Sequence, residues 1–139
     1  LDWKAKNARK DNRAKLVAIN VQTTGLRYSS SVTLEVEGEQ YAGEAEGAAS
    51  SRNQWRLVAE ATLRALEMYF KNEVAFTVEE VRQVHLSGSL VAVVTVGMVT
   101  ARGEETLTGA SFIRGDGSGV AKAVLKAVES RLPIATVSN

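Results

Sequence analysis

The sequence carries an internal repeat. Sliding the chain along itself so that Gly47 falls on Gly109, a shift of 62 residues, also places Ala48 on Ala110, Arg52 on Arg114, Val58-Ala59 on Val120-Ala121, Ala61 on Ala123, Leu63 on Leu125, Ala65 on Ala127 and Glu67 on Glu129. These are nine identities between residues 47 and 67, without a gap, and the same shift carries Val32-Thr33 onto Val94-Thr95. Duplication constrains the fold strongly. A short unit rarely buries its own apolar face and packs against its twin instead.

Within each copy the hydrophobic period changes from two to 3.6. In the first, Val17, Ile19 and Val21 alternate with polar or small residues up to a turn at Thr24-Gly25, and Val32, Leu34 and Val36 alternate with Thr33, Glu35 and Glu37. Gly38 separates that run from Tyr41 to Gly47, where Glu44 and Glu46 mark a wet side, so the pair predicts an antiparallel hairpin. From Ser51 a helix is expected, with Trp55, Val58, Ala59, Thr62, Leu66 and Tyr69 on one stripe and Ser50, Ser51 and Asn53 as candidate caps. Arg56, Glu60, Arg64, Glu67 and Lys71 form i, i+4 pairs that read as a solvated face.

The second copy gives strands around Phe76 to Val81, Val91 to Val99 and Thr106 to Gly109, with a turn at Arg102-Gly103, and a helix from Ser118 to Arg131. The run from Leu90 to Val96 is apolar on both faces, unlike Val32 to Val36. One face is expected under a helix, the other against a second subunit or the other half of the domain. The pattern is an α+β tandem duplication of a β-β-β-α unit related by a pseudo-twofold axis, with two helices on an antiparallel or mixed sheet. It divides into a basic extension over 1–15, a single domain over 16–132 made of repeats 16–71 and 74–132, and a tail over 133–139.

Composition narrows the function. There are 139 residues, 45% of them hydrophobic, enough for one core. With no cysteine and a single histidine, His85, there is no disulfide framework, no cysteine-held zinc and no histidine cluster, so neither a metal nor a cofactor is expected. No apolar run reaches the roughly 20 residues of a membrane span and no signal peptide opens the chain, which suggests a soluble, cytoplasmic protein. The net charge of +1 conceals six basic residues within positions 1–15, from Lys4 to Lys15. The chain begins at Leu1 rather than Met, as a piece of a longer protein would.

No catalytic constellation emerges. Glu79-Glu80 and Glu104-Glu105 are neighbours that strand alternation sends to opposite faces, so neither forms an acid/base dyad. Ser29-Ser30-Ser31 lacks a nucleophile elbow, and His85, near the end of a strand, reads as a half-buried strand residue. Attention falls on the two strand-to-helix turns. Arg114, Gly115, Asp116, Gly117, Ser118 and Gly119 combine three glycines with a helix N-terminus, a combination able to hold an anion or carboxylate, or else a capped connection. The first copy has Ser50, Ser51, Arg52 and Asn53 there, polar instead of glycine-rich, with Arg52 and Arg114 matched by the repeat.

Two such units, each ending in an alanine-rich helix after a glycine-containing turn, resemble the C-terminal regulatory domain of 2-isopropylmalate synthase and its relatives. The residues that carry the likeness are Gly47 to Ala65, Gly109-Ala110 and Gly119 to Val128. The resemblance implies a non-catalytic module that forms a homodimer and binds a small amino-acid effector near the turns, at Ser50 to Asn53 and Arg114 to Gly119. The chain departs from that pattern in having no catalytic barrel and no glycines in its first turn. Separately, Gly38 to Leu66 looks like the hairpin-and-helix half of a double-stranded RNA-binding domain, for which the basic extension would serve as an arm. That class needs a basic helix N-terminus, whereas here Arg52 and Arg56 stand beside a hairpin rich in glutamate.

Overall fold

Two independent hairpin runs, each closed by a helix, account for the architecture. The computed structural model describes residues 14–113 and 116–131. Strands β1 (Lys15–Thr24), β2 (Arg27–Val36) and β3 (Glu39–Ala48) lead into α1 (Ser51–Tyr69). Strands β4 (Ala75–Leu86), β5 (Ser89–Thr100) and β6 (Gly103–Phe112) lead into α2 (Ser118–Val128), and a 3-10 turn follows over Glu129–Arg131. The strands form two separate sheets, β1-β2-β3 and β4-β5-β6, antiparallel throughout, which removes the mixed-sheet alternative.

The duplication extends to an irregularity. Pairing of β1 with β2 skips Val17 between Leu16 and Ala18, and pairing of β4 with β5 skips Glu79 between Val78 and Glu80. The two bulged residues stand 62 positions apart, the shift read from the helices. A bulge inserts one residue and changes the local twist, so its recurrence at the same place marks common descent of the two sheets.

The shift is not constant along the chain. Val32 faces Gly43 in the first sheet and Val94 faces Gly109 in the second. A Cβ on Gly43 would collide with the Ala61 carbonyl and Ala65 amide, and one on Gly109 would collide with the same groups of Ala123 and Ala127. The structural twin of Gly109 is therefore Gly43, 66 residues away, although the helices above them keep the shift of 62. The cause is a longer second hairpin: β2 and β3 turn between Val36 and Glu39, β5 and β6 two residue pairs later, between Thr100 and Gly103. The identity of Gly47-Ala48 with Gly109-Ala110 is thus not a structural correspondence. Arg52 and Arg114 separate as well. Arg52 lies in the first turn of α1, whereas α2 begins only at Ser118 and Arg114 precedes it.

One apolar core joins the halves. It contains Val32 and Leu34 of β2, Val58, Leu63 and Leu66 of α1, Val94 and Val96 of β5, and Val120, Val124 and Val128 of α2. Each helix covers the inner face of its own sheet, α1 also touches β4, and the helices touch each other. The expectation of a helix over one face of β5 is met.

The charged side of α1 is not simply solvated. Arg56 Nη2 donates to the Val78 carbonyl at 2.9 Å, Arg64 Nη2 donates to the Phe76 carbonyl at 3.0 Å, and the Phe76 amide donates to Glu67 Oε2 at 2.8 Å. Phe76 and Val78 lie on β4, an edge strand whose outer backbone groups have no strand partner. Side chains of α1 satisfy them in place of a fourth strand. Tyr41, Tyr69, Phe70 and Phe76 continue this seam past the end of α1, with successive ring centroids 5.7, 5.0 and 6.0 Å apart.

Two measurements of unfolding free energy test this account. Gly43→Ala and Gly109→Ala are each expected to cost about 3 kcal/mol or more, because helix backbone must retreat, while Gly47→Ala, whose Cβ lies nearest to the ends of the Leu57 and Asn53 side chains, stays within about 1 kcal/mol. Ser30 is buried with its hydroxyl unpartnered, and Ala92 occupies the same place in the second sheet. Ser30→Ala is accordingly expected to raise stability by about 1 kcal/mol, as removal of an unsatisfied hydroxyl does.

Candidate functional site

The N-terminal end of α1 is built by its own polar residues. Ser50 is the N-cap, in extended conformation, and its Oγ accepts from the Asn53 amide at 3.3 Å. Asn53 Nδ2 donates back to the Ala48 carbonyl at 3.1 Å, tying the helix start to the end of β3. This side-chain pair answers two of the backbone groups that a helix start and a strand end leave open.

Beside that end lies an open cleft of about 650 Å³. Ser51, Arg52, Asn53, Gln54, Trp55 and Arg56 form one wall and Glu79, Glu80, Val81 and Gln83 of β4 the other. The β4 wall belongs to the second repeat, so the cleft exists only because the two repeats dock. Arg56 closes its floor through the bond to Val78. Among the described residues the Arg52 side chain has no hydrogen bond or ion pair, and it is exposed.

The bulge decides where the acids go. Glu79 Oε1 accepts from Thr77 Oγ1 at 3.1 Å and lies over Gly97, whose Cβ position is 2.6 Å from that same oxygen. Glu80 pairs with Thr95 in the ladder and its Oε2 meets Arg82 Nε at 2.6 Å. Thr77, Thr95 and Gly97 belong to the outer face of the sheet, so both carboxylates emerge on one side. Strand alternation had predicted opposite faces, and the residue inserted at 79 overturns it. His85 is exposed, two residues from the β4–β5 turn, not half-buried as its strand suggested.

The second turn is put to a different use. Arg114 and Gly115 lie outside the described residues. Gly117 is the N-cap of α2 with φ of 86°, a left-handed conformation that favours glycine. A Cβ there would lie 3.0 Å from the Trp55 ring and 3.4 Å from Ile19 Cδ1. In the helix register of the repeat, Gly117 is the twin of Trp55, so the two equivalent positions meet each other, large against small, across the pseudo-twofold axis. Gly119 sits against the Phe112 carbonyl and Ile113 Cα, where a side chain would collide. The glycines of this turn are accounted for by close packing. Trp55 does bring the helix starts together, but Asp116 to Gly119 do not line the cleft found at the first turn.

Asp116 closes the turn. Its Oδ1 accepts from the Ser118 amide at 2.9 Å. The Ser118 hydroxyl, then that amide, hold the Asp116 carboxyl below the usual carboxylate range, with a contribution from Lys122. Of the predicted set, Ser51, Arg52 and Asn53 line the cleft and Ser50 caps the helix that carries them. Sequence reading missed the β4 wall and Gln54 to Arg56, because nothing local ties β4 to the start of α1. Among the described residues no group of His, Asp or Glu side chains has the arrangement of a metal site, and no helix is long and apolar enough to cross a membrane.

Comparison with protein-family models finds no match. Comparison with curated proteins finds none either.

A pH titration checks the turn. A group whose pKa is depressed by folding adds stability above its unfolded value, about 3.9 for Asp, and loses that contribution as pH falls through the folded value. The stability difference between the parent chain and Asp116→Ala, read by denaturant unfolding, is therefore expected at neutral pH and to shrink as pH falls below about 4.

Proposed function

We propose that the chain is a non-catalytic regulatory or assembly module that dimerises and takes a small amino-acid-like effector in the cleft between α1 and β4. The observation that carries this reading is the composition of the two walls. On the α1 side stand the Arg52 guanidinium and the backbone amides of a helix start, donors suited to a carboxylate. The β4 side contributes Glu79 and Glu80, whose carboxylates leave toward the outer face of the sheet and place negative charge at the rim of the cleft, and the Val81 and Trp55 side chains offer apolar surface between. Opposed charges across a cleft are what a zwitterion requires.

The walls also belong to different repeats, so a ligand bridging them would tighten the docking of one half on the other and stabilise the whole domain. The carboxylates already have Thr77 and Arg82 as partners, which suits a wall that holds a ligand in one orientation. The resemblance to the regulatory domain of 2-isopropylmalate synthase points the same way. For the nucleic-acid alternative, the outer face of the first sheet is unfavourable, since Glu35, Glu44 and Glu46 would confront phosphates there.

Thermal unfolding in the presence of each of the common amino acids tests the proposal. At least one is expected to raise the midpoint, by roughly 10 °C at a hundredfold excess over its dissociation constant. Arg52→Ala is expected to abolish that shift without lowering the midpoint of the unliganded chain. If no amino acid moves the midpoint, the effector role is wrong and the assembly role alone stands.

A further inference from the structure

β4 brings backbone as well as side chains to the cleft. Its turn into β5 consists of Ser87 and Gly88, both with positive φ, a form that closes on a hydrogen-bonded pair, here Leu86 with Ser89. Pairs alternate along an antiparallel ladder. Val84, Arg82 and Glu80 therefore turn their amides and carbonyls toward β5, while His85, Gln83 and Val81 turn theirs outward. Carried through the bulge at Glu79, the same count puts Val78 and Phe76 on the outer side, where Arg56, Arg64 and Glu67 meet them. Beyond Val78 that supply of side chains ends. β4 is an edge strand, and among the described residues the outward backbone groups of Val81, Gln83 and His85 have no partner. Val81 and Gln83 both line the cleft.

We propose that the cleft takes the C-terminal end of an extended peptide, laid parallel to β4 as a fourth strand of the second sheet. This rests on the reading of the cleft as a carboxylate site and goes beyond a free amino acid, which has no chain to pair with an open ladder. A row of outward amides and carbonyls at every second residue is matched by another extended backbone and by little else. The bond from Arg56 to Val78 shuts the edge at one end, and the turn after Leu86 ends it at the other. The stretch left open runs from Val81 to His85, five residues or about 17 Å, so the occupant is short.

Its direction follows from α1. Arg56 reaches Val78 and Arg64 reaches Phe76, so α1 runs opposite to β4 and its first turn stands at the end of the cleft nearest Gln83. The Asn53 amide is taken by Ser50, whereas the Ser51 and Arg52 amides precede any intrahelical acceptor, and the exposed Arg52 guanidinium stands beside them. A strand parallel to β4 delivers its terminal carboxylate to these donors. Glu79 and Glu80 belong to the Val78 end of the cleft, away from that charge. One side-chain row of the peptide then faces Trp55 and Val81, which favours an apolar residue there.

Selection of random pentapeptides displayed with free C termini on the whole chain, followed by fluorescence anisotropy of the resynthesised peptides, tests the proposal. Binding peptides are expected, and their C-terminal amides are expected to bind about tenfold more weakly or worse. Arg52→Ala is expected to weaken the acids by a similar factor and to leave the amides unchanged. Methylation of a peptide nitrogen that donates to β4 is expected to cost about tenfold, and methylation of the next nitrogen, which points away, to cost little. Gln83→Pro removes only an outward amide, so the variant is expected to fold, by circular dichroism, and to lose binding, whereas Arg82→Pro, which removes a bond to β5, is expected to lower the unfolding midpoint sharply. Free amino acids that raise the midpoint while no peptide is selected overturn the strand pairing and leave the effector reading in place. Methylation tolerated alike at every nitrogen also overturns the pairing. Amides that bind as tightly as acids overturn the terminal carboxylate here and, with it, the role given to Arg52 in the effector reading.

Discussion

The approach of helix backbone to strand backbone at Gly43 and Gly109 is the contact on which the rest of the molecule depends. At both places the carbonyl of an alanine in the helix and the amide four residues later occupy the space that any side chain on the strand would need. This seats α1 and α2 on their sheets at a fixed depth and rotation. The alanine-rich stripes above the glycines, Ala61 and Ala65, Ala123 and Ala127, follow from the same requirement, since larger residues would hold the helices away. Once α1 is seated so deep, its polar side comes level with the open edge of β4.

That seam converts two repeats into one domain. An edge strand exposes backbone groups that invite a further strand, and at Phe76 and Val78 the invitation is answered by Arg56, Arg64 and Glu67. Side chains give a helix and a strand edge a way to satisfy each other that backbone geometry alone does not allow. The cleft is a by-product of this docking. Past the last of these bonds α1 projects its first turns beyond the seam, and the space between them and β4 is left unfilled.

Much of the fold was legible because period and burial agree. Val58, Ala59, Thr62 and Leu66 are all buried, as a helical stripe should be, and Val32, Leu34 and Val36 are buried, as one side of a strand should be. The hairpin lengths were less so: an ungapped match cannot reveal that one hairpin is two residue pairs longer, and it aligned Gly109 with Gly47 in place of Gly43. The alternation rule failed at Glu79 because it assumes a regular ladder, and nothing in the residues around Val17 or Glu79 announces a bulge. Of the candidate site, the α1 wall could be read from its capping residues, whereas the β4 wall is contributed through tertiary docking. The glycines of the second turn were visible but ambiguous. Only their neighbours, Trp55 for Gly117 and Phe112 for Gly119, decide between ligand and packing.

The meeting of Trp55 with Gly117 has a consequence for how such a molecule can exist at all. On a true twofold axis a residue must face its own copy, so a dimer of identical units would have to seat two indoles, or two glycines, in a space shaped for one of each. Joining the units in a single chain lifts that condition, because each side of the axis can then vary alone. The same freedom lets the outer face of one sheet carry Gln22, Ser29 and Glu46 in the row where the other carries Val84, Val91 and Phe112. The covalent link thus does more than keep the halves at high local concentration: it permits a mismatch that symmetry forbids.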